Sequence, residues 1–158
     1  MEKALYIEEM DKFIDTITEK GMSVVGCSEE QIINLENDYG ILPQFYKIFL
    51  KRMGISAGSF IKGSLFFYNS IHDVNEGTRA LMKENNISPP PKMFAFLMHQ
   101  GYTSLFFINS TDSAPDPAVF CYTEGEEISD INMTFGQLIK AEINNYCKRR
   151  FSQNTSEQ

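Results

Sequence analysis

The 158-residue chain has no tryptophan, only two histidines and only three cysteines. Cys27, Cys121 and Cys147 are widely spaced, odd in number and outside any paired motif, which argues against a disulfide framework or a zinc site. Cys121 lies in an apolar run and is expected to be a small buried hydrophobe. No apolar stretch approaches the roughly 20 residues of a membrane span. The N-terminal MEKALYIEEMDKF is charged throughout, with no apolar signal core. A cytoplasmic protein without membrane contact is therefore expected, and the Asn-x-Ser/Thr matches at Asn109, Asn132 and Asn154 carry no meaning without a secretory route. Neither GxxxxGK nor GxGxxG occurs, so no phosphate-cradling glycine loop is present.

What is present is a globular composition, 42% apolar and 22% charged, with 13 Phe and 7 Tyr to build an aromatic core. The formal charge of −7 makes the chain a poor candidate for gripping phosphate backbones or anionic lipid. It suits a basic partner, although plain solubility is the simpler account of such a charge.

Helical spacing runs through Tyr6, Met10, Phe13, Ile14 and Ile17, ending near Gly21. Ser28 and Gln31 form a capping-box pattern ahead of Ile32, Leu35 and Tyr39, with a stop at Gly40. Pro43 fits the first position of a third helix. That helix is apolar over more than half its circumference (Phe45, Tyr46, Ile48, Phe49, Leu50, Met53), and Lys51 and Arg52 complement its dipole. Leu65–Tyr68 reads as a short strand, and Ile71, Val74, Thr78, Leu81 and Met82 return to helical spacing. Prolines 89, 90 and 91 enforce a loop. Phe94–His99, Ser104–Asn109 and Ala118–Thr123 read as strands, the first two joined by a turn containing Gly101. A final helix spans about Thr134–Arg150, where Lys148, Arg149 and Arg150 need no explanation beyond the dipole. Ser152–Gln158 is expected to be a frayed polar tail after a single domain over residues 1–151. The order predicts α+β: a central, mostly antiparallel sheet of about four to six strands, flanked by N-terminal helices and a C-terminal helix.

Catalytic motifs weigh little. Gly54-Ile55-Ser56-Ala57-Gly58 matches G-x-S-x-G, but that elbow needs a strand before the serine and a helix after it. Here a helix precedes and a loop follows. His72 is expected to be an exposed first-turn residue, and His99 a strand-end residue bonded to a nearby backbone group. Neither has an evident positioned partner. No catalytic residue, metal or cofactor is assigned. Strand aromatics Phe106, Phe107 and Phe120 lack the basic surround of a nucleic-acid platform.

One charge signal remains. Asp112, Asp116, Glu124, Glu126, Glu127 and Asp130 fall between positions 109 and 131, where there is no Lys or Arg. They describe either a pair of solvated loops or an acidic surface that steers a basic protein partner.

The segment order resembles the SUKH superfamily, which contains fungal cell-wall synthesis regulators and many bacterial toxin-immunity proteins. Three stretches carry the likeness: Ser28–Gly54 with its Leu42-Pro43 and apolar helix, Phe94–Gly125 with its Gly-Tyr turn and Asp-Pro, and Thr134-Phe135 leading into the last helix. Tryptophans common in such proteins are missing. The resemblance implies a non-enzymatic α+β domain that binds and neutralises a cognate toxin, often a nuclease, by occlusion. The partner would be a basic toxin domain, without direct nucleic-acid contact. A regulatory or scaffolding module without a toxin is the alternative, and a small hydrolase using Ser56 or His99 ranks below both. Leu42, Pro43, Phe45 and Phe49 are assigned to the fold.

Overall fold

A computed structural model describes residues 1–108 and 114–151. Helix α1 (Lys3–Glu19) buries Tyr6, Met10, Phe13 and Ile17, a single stripe at helical spacing. Helix α2 (Glu29–Tyr39) starts at the expected capping box. Gln31 N donates to Ser28 Oγ at 3.2 Å, and Ser28 N donates to Gln31 Oε1 at 2.8 Å. Helix α3 (Gln44–Met53) buries Phe45, Tyr46, Phe49, Leu50 and Met53. Pro43 sits one residue earlier than expected, as the N-cap. Two-residue strands β1 (Val24–Val25) and β2 (Ser56–Ala57) pair antiparallel beside this helix. Gly26, just after β1, runs against the last turn of α3 so closely that any Cβ would collide with the Lys51 carbonyl. Only glycine permits that crossing.

The main sheet has the order β3-β4-β5-β6-β7: Ser64–Leu65, Phe94–His99, Thr103–Phe107, Ala118–Thr123 and Ser129–Thr134, every pair antiparallel. Helix α4 (Ile71–Glu84) connects β3 to β4, and helix α5 (Phe135–Phe151) follows β7. Between β4 and β5 the three-residue connection 100–102 turns on Gln100 (φ 52°) and Gly101 (φ 76°), closed by Tyr102 N donating to His99 O at 3.2 Å.

Helices cover both sheet faces. Phe94, Phe96, Phe107 and Val119 pack into one cluster with α1, α3 and α5, where Tyr46 and Phe135 stand edge-on to several of these rings. Ala95, Met98, Phe106 and Tyr122 face the other way, against Val74, Leu81 and Met82 of α4. The register slips between Ala95 and Leu97, which puts both Phe96 and Leu97 against the first cluster.

At that irregularity β3 is too short to cover β4, since it pairs only with Met98 and His99. The Asn75 side chain of α4 takes the place of the missing strand. Its Oδ1 accepts from Ala95 N at 2.8 Å, and its Nδ2 donates to Ala95 O at 2.9 Å and to Ile71 O at 3.0 Å. Nearby, the buried Thr78 and Ser104 hydroxyls meet at 2.6 Å. Polar groups thus seam α4 to the sheet through an otherwise apolar layer.

The α+β class and antiparallel sheet match expectation, and four local readings are corrected. Leu65–Tyr68 does not continue as a strand: pairing stops at Leu65 and a 3-10 turn forms at Tyr68–Ser70, because Phe66 turns into the core at 1% exposure. Ser129–Thr134, where no strand was expected and the last helix was placed from about Thr134, is edge strand β7. The second strand begins at Thr103, and Asn109, its expected end, lies outside the described residues. Cys121 is half-buried, whereas Cys27 is the buried thiol, pushed up to about 11 by burial. The expected tail, Ser152–Gln158, also lies outside the described residues.

Candidate functional site

The connection from β5 to β6 divides into two parts. Asp112 lies outside the described residues. Residues Pro115–Pro117 instead clasp the N-termini of two helices. Pro115 O accepts from Phe45 N at 2.9 Å in the first turn of α3, and Pro117 O accepts from Phe135 N at 3.0 Å at the start of α5. Asp116 Oδ1 accepts from Gly136 N at 2.8 Å, and its Oδ2 lies 3.5 Å from the Met1 amine. Helix N-termini leave N–H groups unpaired and attract negative charge, so this carboxylate is placed where it stabilises the fold. Its side chain is only 8% exposed. Asp116, read in the sequence with the acidic run, is separated from it in space and is used internally.

Tyr6 adds a third helix to the clasp. Its ring stacks on Phe45 at 4.5 Å and its hydroxyl donates to Phe45 O at 2.8 Å. Burial, reinforced by the Asp116 charge, holds that phenol well above the ordinary tyrosine range. Thr134 and Gln137 complete the start of α5 with a second reciprocal box, at 3.0 and 3.3 Å.

The other four acids do come together. Glu124, Glu126 and Glu127 are exposed on the turn between β6 and β7, and Asp130 is exposed in β7. Glu126 N closes the turn onto Thr123 O at 2.9 Å, while Glu124 N donates to Tyr102 O at 2.9 Å, tying the turn to the neighbouring hairpin. Asp130 Oδ1 accepts from Asn132 N at 2.7 Å, a local turn that holds Asn132 at φ 59°. Among the described residues, no Lys or Arg nitrogen lies within 4.0 Å of these four carboxylates. The surface is therefore an uncompensated negative strip at one sheet edge. Because β7 pairs on one side only, a partner there also meets free strand backbone. The slip that sets Phe120 opposite Asp130 but Ala118 opposite Thr134 blunts this edge against indiscriminate pairing.

The candidate catalytic groups are placed elsewhere. Ser56 sits in β2, after α3 and before a turn, so it lacks the strand–serine–helix geometry of an elbow. His99 Nδ1 bonds Ser64 Oγ at 2.9 Å, a side chain on the adjacent strand and not the backbone group expected. His72 is exposed in the first turn of α4, as expected. Its Nδ1 meets Tyr39 Oη at 2.8 Å and its Nε2 lies 3.5 Å from Asp38, which pins α2 to α4. Burial raises the Tyr39 pKa, with Asp38 and Glu76 adding to it, which is the wrong direction for a nucleophile. Among the described residues no three His, Cys, Asp or Glu side chains converge as metal ligands. No helix among them is long and apolar enough to cross a membrane.

A model of the SMI1/KNR4 family (SUKH-1) matches residues 26–141. No curated protein matches the sequence. The matched span runs from the capping box of α2 through the five-stranded sheet into α5, leaving α1 outside it. SUKH proteins are in general non-enzymatic immunity or regulatory modules that act by binding other proteins. By the span of the match, and by the helix–meander–helix order it covers, this chain belongs to the SMI1/KNR4 (SUKH-1) family.

Proposed function

We propose that this protein is an immunity factor that binds a basic toxin domain, such as a nuclease, through the strip Glu124, Glu126, Glu127 and Asp130, and neutralises it by occlusion. The observation that carries this reading is the set of four exposed carboxylates with no Lys or Arg nitrogen within 4.0 Å among the described residues. A nuclease holds phosphates in a cationic groove, and carboxylates on a rigid sheet edge compete for the same cations. Steering by such charges raises the association rate at low salt and fades as the Debye length shrinks below roughly 10 Å. Asp116 has no part in this surface, and Asp112 remains attached to it by sequence alone.

Co-expression with the toxin encoded beside its gene tests the reading. Cells survive if it holds. Death in the presence of abundant, folded protein refutes the pairing and favours the regulatory alternative. In stopped-flow mixing with that toxin, reversing Glu124, Glu126, Glu127 and Asp130 to lysine slows association about tenfold or more at low salt. An unchanged rate removes the strip from the account.

A further inference from the structure

At the opposite edge of the sheet lies a feature of the opposite sign. The turn between β2 and β3, strands β4 and β5, and the last turns of α5 enclose an open recess of about 520 Å³. Its walls are apolar: Phe60, Ile61, Leu97, Leu105 and the ring of Tyr146. Its charged lining is mostly cationic. Lys62, Arg149 and Arg150 line it, and none of the three has a carboxylate within 4.0 Å among the described residues. By contrast, Lys12, Lys47, Lys51 and Arg52 on α1 and α3 all have such partners. Lys3, Lys20, Arg79, Lys83, Lys140 and Lys148 also have no carboxylate within 4.0 Å among the described residues, so what distinguishes this hollow is the convergence of three cations on one apolar recess in a chain of net charge −7.

One of the three cations, Arg150, is also held in place. Arg150 Nη1 donates to Ser59 Oγ at 2.8 Å, Ser59 Oγ lies 2.9 Å from Tyr146 Oη, and that phenol donates to Met22 Sδ at 3.4 Å. The Arg150 guanidinium lies 5.7 Å from the Tyr146 ring centroid. Across the hollow, Ser64 and His99 are joined at 2.9 Å. Ile61, on the rim, is held at φ 51°, a conformation that a β-branched residue rarely adopts. One acid, Glu142, shares the lining and opposes the three cations.

We infer that this recess binds a small phosphate monoester with an apolar or aromatic body. The phosphate would sit among Lys62, Arg149 and Arg150, and the ring against Phe60, Leu97 and Tyr146. Two guanidinium forks and an ammonium suit a dianionic head. The volume suits a ligand of nucleotide size, within the range of about 300–1,000 Å³ common to small-molecule pockets. The acidic strip lies at the β7 edge, whereas the recess is lined from β3 to β5, and the two share no residue. Loss of one therefore leaves the other intact, and this inference does not depend on the toxin reading.

Isothermal titration of the full chain with phenyl phosphate and adenosine monophosphate provides the test, with inorganic phosphate, citrate and adenosine for comparison. Saturable one-to-one binding of at least one of the two ring-bearing phosphates is expected, about tenfold or more tighter than inorganic phosphate or adenosine. The double variant K62A/R149A weakens it about tenfold or more, and E142Q tightens it. Both change exposed or half-exposed side chains, and thermal unfolding verifies that the variants fold. Amide shifts at Ser59–Ser64 and His99 on titration locate the ligand independently of either variant. Failure of both phosphates to bind saturably overturns the inference. So does binding that K62A/R149A leaves unchanged, citrate binding as tightly, or shifts confined to other residues.

Discussion

Replacing Asn75 with alanine removes a side chain that does the work of a strand. Asn75 is 3% exposed and Ala95 fully buried, so water does not readily replace the lost partner. The substitution deletes three hydrogen bonds of 2.8–3.0 Å and leaves the Ala95 N–H and C=O unpaired at the point where β3 no longer reaches. Each orphaned buried polar group costs about 1–3 kcal/mol, which gives roughly 3–5 kcal/mol for the pair together with the small void. Against a typical stability of about 5–15 kcal/mol that is a large fraction. With a urea m-value near 2 kcal/mol/M, the unfolding midpoint falls by about 2 M, measured by far-UV circular dichroism. Asn75→Asp separates hydrogen bonding from volume. It keeps an acceptor for Ala95 N but sets a carboxylate oxygen against Ala95 O, so near neutral pH it should be no better than alanine. A loss below about 1 kcal/mol for the alanine variant would show that α4 and β4 are held by apolar contact alone, and would refute the strand-substitute argument.

Three further outcomes follow from the geometry. Asp116→Ala removes the bond to Gly136 N and should cost about 1–2 kcal/mol in thermal unfolding while leaving partner association rates unchanged; slowed association at unaltered stability would return Asp116 to the binding surface. Gly26→Ala forces β1 away from the Lys51 carbonyl and should destabilise by about 2–4 kcal/mol, so an unshifted melting temperature would contradict the close crossing. Burial raises the pKa of Cys27 to about 11 and puts Tyr6 and Tyr46 well above the usual phenol value. The unfolded chain ionises these groups from about pH 8.5–10 while the folded chain holds them neutral. Their contribution is thus complete below that window and is lost progressively from there up to the raised folded-state values, about 11 for Cys27. Urea midpoints should decline from about pH 9 upward, and a flat profile to pH 10.5 would count against the burial of these groups.

Periodicity and caps made the helices legible: the stripe of α1, the Ser28–Gln31 box and the aromatic face of α3 are local patterns. Strand β7 was not, because its alternation rests on only two apolar residues, Ile131 and Met133, too short a pattern to stand out beside an acidic turn. Strands β1 and β2 are two residues long and exist only through each other. The run of acids was visible, but its division was not. Asp116 belongs to a helix start 20 residues away, and spacing alone does not distinguish such a carboxylate from its exposed neighbours. Asn75 gave no signal either, since an asparagine on a helix reads as surface until a strand ends beside it. Arg149 and Arg150 satisfied a dipole argument that concealed their convergence with Lys62 across about 90 residues of chain.

The clasp at Pro115–Pro117 bears on how the chain is made. Strands β3 to β7 are neighbours in sequence as well as in space, so the sheet can assemble as each hairpin leaves the ribosome. The helical layer cannot. Phe45 must wait for Pro115, and the core stays open until Phe135 and the rest of α5 arrive. During synthesis α1 and α3 thus hold a large aromatic surface that the sheet covers only in part until α5 arrives, a window in which a chaperone has most to offer. Truncation before α5 would make that window permanent.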